Sequence, residues 1–374
     1  MSNATPKQKP DKVREGMKIE DTLVVDADVH LSPNHPDNLR ALAEHMEPPF
    51  DKFLAPDNPW ISSMTNSGWA KTYGGHKDME VDAVTSPEPI EDIVMDEYGV
   101  DYAIINSFGF PDKTPHTEYD MARMRAFNDM MLDRYLDDSD NIYGLATISS
   151  RKPDKAAEEI DRIGGEDKIV GCYFQVGLEY QMYNPPGDPN WDVMYQAMAD
   201  NDLVPTYHIS EMNYAPHLRG LETFMAVHNL CCPWSVEWTL TSLMEHGTFE
   251  KFPELDFVFL EGGVGWIPFM MARLNREVAQ FRHEVPLLEK TAEEYIRDQC
   301  YFGTQPIGEF NNPEFMVQML RMIGADSLMY TTDYPHHDFD HPNAIDKFLK
   351  RAFDEEDREK VLNRNAIDVY DLPV

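Results

Sequence analysis

The sequence predicts an α/β protein built as a (β/α)8 barrel with a long insertion after its first strand. The 374-residue chain has eight short apolar runs typical of buried strands, and stretches with helical periodicity separate them. Continuous apolar strands alternating with helices indicate a parallel sheet covered by helices, and eight such units fit a closed barrel. A doubly wound open sheet is the alternative, although the lack of a GxGxxG motif after the first run disfavours a dinucleotide-binding version.

The elements follow one another along the chain with little interruption. The apolar runs, taken in order as strands, are 22–30, 100–107, 141–149, 169–177, 203–210, 255–263, 300–305 and 327–336. The stretches with helical periodicity between them are 118–136, 153–163, 191–201, 236–246, 267–281 and 312–323. Residues 21–374 are therefore predicted to form one barrel domain.

Two segments stand outside this alternation. Residues 1–20 are polar and charged without an apolar stretch, which predicts a flexible tail and excludes a secretory signal. Residues 31–90 are too long for a plain connection, and their Pro, Asn, Asp and aromatic content predicts a packed excursion over the barrel mouth. Long loops on a rigid scaffold often carry substrate contacts, but a structural cap or an oligomer contact is an equally good interpretation.

The charge balance excludes several classes of function. The chain has 32 Lys and Arg against 67 Asp and Glu, a formal net charge of −35. So negative a field repels nucleic-acid phosphates and anionic membrane surfaces, so neither is an expected partner. A carboxylate-dense surface also suits concentrated salt, where the Debye length falls to about 3 Å at 1 M. A halophilic origin is one interpretation of this composition.

The cysteines indicate a reducing compartment. The four cysteines, at positions 172, 231, 232 and 300, include no CxxC pair and no spacing typical of secreted domains. The adjacent Cys231 and Cys232 fit buried small hydrophobic residues better than metal ligands. No apolar run reaches 18 residues, so the protein is predicted to be soluble and cytoplasmic.

Potential metal ligands follow the apolar runs, where a barrel gathers its functional site. Asp28 and His30 close the first run two residues apart, so both side chains face the same side of a strand. His208 closes the fifth run, Glu261 the sixth and Asp333 the eighth. Each residue alone has a structural explanation, such as a buried histidine or a helix N-cap. Their order at successive strand ends instead predicts a site for one divalent metal ion, because buried carboxylates need a cation.

These positions lie within longer motifs that resemble the amidohydrolase-related, metal-dependent TIM-barrel enzymes typified by aminocarboxymuconate semialdehyde decarboxylase. The motifs are VVDADVH, ARMRAFNDMMLDRYLDDSDNIYGLATIS, PTYHIS, EHGTFEKFPELDFVFLEGGVGWIPFMMARL and YTTDYPHHD. The resemblance implies that Asp28, His30, His208 and Asp333 are metal ligands. It also implies zinc as the usual metal, with manganese or iron as alternatives, and a homodimer or homotetramer.

Two departures from the family pattern bear on the reaction. Many members begin with H-x-H, whereas this chain has Asp28-x-His30, and the decarboxylases have a catalytic His where this chain has Glu261. An ionised Glu261 would repel a substrate carboxylate unless a cation intervened, whereas it could carry protons in a hydrolysis. The sequence therefore favours a hydrolase in which metal-activated water attacks a C–N or C–C bond next to a carbonyl. Asp333 or Glu261 would move the proton, with His208 as the third catalytic residue.

Several alternatives remain open at this stage. Glu261 could be a fifth ligand or pair with Arg273, and the reaction could be a non-oxidative decarboxylation or a hydration. A non-catalytic binder of small molecules with a structural metal is the alternative from another class. The substrate is expected to be small, and the family suggests an aromatic-derived compound. The candidate substrate-binding residues are Glu211, Tyr214, His336 and Trp266. An alternative role for His336 or His337 is to donate a hydrogen bond that orients the carboxylate of Asp333.

Overall fold

The computed structural model describes residues 19, 22–31, 36–51, 84–107, 116–137, 139–176, 184–209, 218, 220–336 and 338–374. Within these residues, eight parallel strands form one sheet in which each strand pairs with the next along the chain. The strands are β1 Val25–Leu31, β2 Tyr102–Ser107, β3 Ile142–Thr147, β4 Ile169–Val176, β5 Val204–Ile209, β6 Phe257–Leu260, β7 Cys300–Gly303 and β8 Leu328–Met329.

The sheet closes where β1 meets the chain that follows β8. The Ala27 amide donates to the Tyr330 carbonyl at 3.1 Å, and the His30 amide donates to the Tyr334 carbonyl at 2.7 Å. The Asp26 carboxylate accepts hydrogen bonds from the amide and the hydroxyl of Thr332, at 3.0 and 2.5 Å. The predicted (β/α)8 barrel is therefore confirmed, and the open sheet is excluded.

Helices separate the strands and cover the outside of the barrel. Their bounds are α1 Pro36–His45, α2 Thr117–Met131, α3 Pro153–Ile163, α4 Asp192–Asp200, α5 Phe224–Glu245, α6 Thr248–Lys251, α7 Ile267–Gln280, α8 Ala292–Gln299, α9 Glu314–Ile323, α10 Pro342–Ala352, α11 Glu355–Glu359 and α12 Asn365–Val369. π-Helical segments span Ile90–Glu97, Leu132–Leu136 and Lys360–Arg364. No helix of the described residues is long and apolar enough to cross a membrane.

One predicted helix begins at the wrong place. The periodicity placed the start at residue 236, whereas α5 begins at Phe224 and runs through Pro233. A proline lacks the amide hydrogen that helical hydrogen bonds need, so Pro233 made residues 224–235 look non-helical in the sequence. The start is fixed instead by Thr223, whose hydroxyl accepts from the Ala226 amide at 3.3 Å.

The core has two layers. The larger cluster packs the helices against the outside of the sheet, and it includes Val29 and Leu31 of β1. The smaller cluster contains Val25 and Ala27 of the same strand, together with apolar side chains of the other strands and of residues 366–372. The change from one cluster to the other follows a register irregularity in β1 between Asp26 and Val29.

Chain residues 360–372 close the barrel at the end opposite to the strands' carboxyl ends. The Tyr370 hydroxyl lies 3.0 Å from the Thr206 hydroxyl, and the Asn365 side-chain amide donates to the Leu328 carbonyl at 2.7 Å. All four cysteines are buried and unbridged. The predicted tail, except for residue 19, and residues 52–83 of the predicted insertion lie outside the described residues.

Candidate metal centre

Four predicted ligands meet at the carboxyl ends of the strands. Asp28 and His30 come from β1, His208 from β5, and Asp333 from the segment after β8. Each offers a ligand atom, and these atoms all lie within 4.8 Å of one another. All four side chains are buried, so the structure brings together the set that the sequence predicted.

One carboxylate oxygen of Asp28 accepts a hydrogen bond, and the other points toward the other predicted ligands. Its Oδ1 accepts a hydrogen bond from Asn106 Nδ2 at 2.6 Å. Its Oδ2 lies 3.6 Å from His208 Nε2. Asn106 thus orients the carboxylate from β2, as residues behind a metal ligand commonly do.

His208 has its tautomer set by the backbone. A carbonyl can only accept, so the 2.8 Å contact between Nδ1 and the Ile209 carbonyl places the proton on Nδ1. The lone pair of Nε2 then points toward the other ligands, as a neutral metal-binding imidazole requires. Burial holds the pKa of His208 well below its usual range, and the neighbouring His30 adds to this.

Asp333 has a backbone in the left-handed region, with φ of 64°. This conformation is uncommon for a residue with a side chain and is retained where the surroundings enforce it. Here the Asp333 amide donates to the Asp28 carbonyl at 3.0 Å, which ties two ligands together. Burial alone would raise the pKa of Asp333, but the imidazoles of His336 and His30 outweigh burial and lower it.

Glu261 lies beside this cluster, at the end of β6, and is also in the left-handed region with φ of 56°. Its Oε2 is 3.1 Å from His208 Nε2, and its Oε1 is 3.7 Å from His336 Nδ1. Pairing with Arg273 was wrong, because Arg273 binds Glu277 at 2.9 Å on the surface of α7.

His336, a candidate substrate-binding residue, directly contacts two of the predicted metal ligands. Its Nδ1 lies 2.8 Å from Asp333 Oδ1, and its ring stacks on His30 with centroids 4.5 Å apart. Burial alone would lower the pKa of His336, but the carboxylates of Asp333 and Glu261 outweigh burial and raise it well above the usual range.

The donor set fits a divalent cation. Burial, followed by the charge of Asp333, raises the pKa of both Asp28 and Glu261, which shows how crowded the carboxylates are without a cation. Asp28 Oδ2 and His208 Nε2 are buried and have no hydrogen-bond partner among the residues that the structure describes. Mixed carboxylate and imidazole donors suit several divalent transition metals. The structure thus contains a buried site suited to such an ion.

Trp266 occupies the wall of an adjoining cavity. It directly precedes α7, and its Nε1 donates to the Gly263 carbonyl at 2.8 Å. The cavity has a volume of about 860 Å³ and is lined by residues of α5, α9 and the loops after β6 and β7. The other two candidate substrate-binding residues, Glu211 and Tyr214, lie outside the described residues.

Two residues near the site, Asn106 and His228, were not identified from the sequence, and Cys232 was set aside there as a buried hydrophobic residue. Asn106 closes β2 and could have been found as another polar strand end. His228 and Cys232 lie with Glu261 in a further group whose ligand atoms are within 4.8 Å of one another. Their only sequence signal is the H-x-x-x-C spacing, which places two side chains on one face of a helix.

The comparisons with known proteins agree with this geometry. A family model described as Amidohydrolase matches residues 25–372. A curated gamma-resorcylate decarboxylase from Polaromonas sp. strain JS666 is 26% identical over 302 residues, which are 75% of this chain and 86% of that protein.

Solved structures show the same fold. An amidohydrolase from Mycobacterium avium subsp. paratuberculosis has a TM-score of 0.72 at 20% identity, covering 94% of this chain and 99% of that one. A dihydroxybenzoic acid decarboxylase from Polaromonas sp. JS666, with bound manganese and the inhibitor 2-nitroresorcinol, has a TM-score of 0.66 at 18% identity, covering 95% and 98%. Because the family match spans nearly the whole barrel, the resemblance is confirmed, and the chain belongs to the amidohydrolase family of enzymes.

Proposed function

We propose that the protein is a metal-dependent, non-oxidative decarboxylase of a small aromatic carboxylic acid. The observation that carries this proposal is the similarity to a gamma-resorcylate decarboxylase over three-quarters of the chain, together with the buried cluster of Asp28, His30, His208 and Asp333. Decarboxylation was the alternative in the sequence analysis, and the relatives support it better than hydrolysis.

The electrostatic argument that favoured hydrolysis also no longer applies. It assumed that Glu261 stands alone as a negative charge and repels a substrate carboxylate. In the structure, the imidazole of His336, whose pKa is raised, faces Glu261 with Nδ1 3.7 Å from Oε1. A bound divalent ion would add a further positive charge at the adjoining ligands, so a substrate carboxylate can be accommodated beside Glu261.

The residues divide into two roles. Asp28, His30, His208 and Asp333 would hold the metal, which supplies a Lewis acid for the oxygens of the substrate. Decarboxylation breaks the bond between the ring carbon and the carboxyl group, releases CO2 and requires one proton at that carbon. In the proposal Glu261 delivers this proton, and His336 Nδ1, which lies between Asp333 and Glu261, restores it.

The metal proposed here is manganese. Carboxylate oxygens from Asp28 and Asp333 suit this harder ion, and the similar Polaromonas structure contains it. Zinc, the metal favoured by the sequence analysis, is the alternative and fits the same donors. The substrate would enter through the cavity beside Trp266, whose aromatic ring can pack on another ring.

The test uses the purified protein reloaded with Mn²⁺ and a panel of hydroxybenzoic acids, beginning with gamma-resorcylate. We expect metal-dependent CO2 release and, in D2O, one deuterium at the carbon that lost the carboxyl group. Asp333→Asn should lose both the metal and the activity, whereas Glu277→Gln on the surface of α7 should lose neither. Metal-dependent hydrolysis of esters or amides, without CO2 release from any acid, would contradict the proposal.

A further inference from the structure

A second group of metal-ligating side chains lies on the side of Glu261 that faces α5. His228 and Cys232 are four residues apart in this helix, so their side chains share one face. An imidazole nitrogen, the Cys232 sulfur and a Glu261 oxygen all lie within 4.8 Å of one another. Cys232 and Glu261 are each only 3% exposed, whereas His228 is partly exposed.

A fourth donor lies close to the same imidazole. Asp338 Oδ2 is 3.7 Å from His228 Nε2. In a tetrahedral site with metal–ligand distances of about 2.0 to 2.3 Å, neighbouring ligand atoms lie about 3.3 to 3.8 Å apart. The separation of Asp338 from His228 therefore matches an edge of such a site, and side-chain movements are needed to bring Cys232, Glu261 and this pair to one ion.

The chemistry of this group differs from that of the first cluster. The first cluster offers only oxygen and nitrogen, whereas this group adds a thiol, a soft donor that selects zinc-like ions over manganese or magnesium. The group is also reachable, because His228, Cys232 and Asp338 line the cavity of about 860 Å³.

We propose that His228, Cys232 and Glu261, with Asp338 as the nearest additional donor, form a second site for a zinc-like divalent cation. Glu261 binds this cation as the ionised carboxylate, so filling the second site competes with its proton-transfer role beside the first cluster. On binding, the Cys232 thiol releases its proton to solvent and binds as the thiolate. The site does not depend on which reaction the first cluster catalyses.

Cobalt tests the proposal, because a Co²⁺–thiolate bond gives an ultraviolet charge-transfer band that nitrogen and oxygen ligands do not give. The full-length protein is stripped with a chelator and titrated with Co²⁺ while absorbance and bound metal are measured. We expect two equivalents and a thiolate band in the wild type. Cys232→Ala should lose the band and one equivalent, and His228→Ala should weaken Co²⁺ binding at this site at least tenfold.

Cys231 provides a matched control, because its sulfur lies 3.8 Å from that of Cys232 and is equally buried. Cys231→Ala should keep both the band and the second equivalent, which separates a ligand role from a packing role. A wild type without a thiolate band, or a band that survives in Cys232→Ala, would overturn the proposal. Failure of decarboxylase activity would leave this result unchanged, because the band reports only the thiol.

Discussion

Thr332 provides the sharpest test of how the first and last parts of the barrel are joined. Its hydroxyl donates to Asp26 Oδ2 at 2.5 Å and accepts from the Tyr334 amide at 3.2 Å. Thr332→Val keeps the shape of the side chain and removes both hydrogen bonds. Asp26 then retains two donors, the amides of Thr332 and Asp28.

The expected loss of stability follows from burial. Asp26 and Thr332 are both fully buried, so water cannot replace the missing partner. Removing a donor from a buried carboxyl group costs about 2 to 3 kcal/mol, and the loss of the hydrogen bond between the Tyr334 amide and this hydroxyl adds about 1 kcal/mol. We therefore expect Thr332→Val to lower the free energy of unfolding by about 3 to 4 kcal/mol.

Urea denaturation of the metal-free protein at constant KCl measures this loss without a contribution from metal binding. Thr241→Val is the matched control, because the Thr241 hydroxyl donates to the Glu237 carbonyl on the exposed side of α5. The control should change stability by less than about 0.5 kcal/mol. A loss below about 1 kcal/mol in Thr332→Val would refute the assigned role of the Thr332 hydroxyl.

Three further predictions concern charge and metal binding. Burial raises the pKa of Asp256 from 3.8 to about 6, so its ionisation lowers the stability of the folded state as the pH rises from about 4 to 6, and Asp256→Asn should stabilise the protein by about 1 to 2 kcal/mol at pH 8. The gain should vanish below about pH 3, where Asp256 is largely protonated in both the folded and the unfolded chain, and an equal gain at both pH values in thermal unfolding would contradict this. Asn106→Ala removes the hydrogen bond that orients Asp28 and should weaken metal binding about 10- to 100-fold. Metal titration measures this, with Asn190→Ala at an exposed position as the control. Equal affinity in both variants would show that Asn106 does not orient the ligand. Lowering KCl from molar to about 0.1 M should lower the Tm, because the Debye length grows to about 10 Å and the net charge of −35 is less screened; an unchanged Tm would argue against adaptation to high salt.

Much of the fold was predictable because each buried strand is a continuous apolar run. The helix at 153–163 was predicted at its observed bounds because its apolar residues recur with helical periodicity. β8 was predicted too long, because Thr332 and Asp333 turn away from regular strand geometry to bond with β1. The apolar pattern carries no signal for such a bend.

The cluster of four ligands was predictable because parallel strands bring their carboxyl ends to one edge of a barrel. A donor role for His336 or His337 beside Asp333 was one alternative from the sequence, but the choice between them depends on the left-handed conformation of Asp333. His337 lies outside the described residues. Cys232 had been interpreted as a buried hydrophobic residue, and its grouping with His228 was missed for a different reason. Which face of α5 meets Glu261 is decided by packing against the barrel, and the local sequence does not encode it.

The late closure of the barrel has a consequence for folding. Asp26 and Thr332 are 306 positions apart, so β1 is synthesised long before its final neighbour and keeps one open edge until the chain is nearly complete. Open strand edges pair readily with other chains, and charged side chains pointing inward discourage such pairing. Asp26, Asp28 and His30 interrupt the apolar residues of β1. We therefore expect the residues that join the barrel and orient its site also to disfavour pairing of this edge with other chains before the barrel closes.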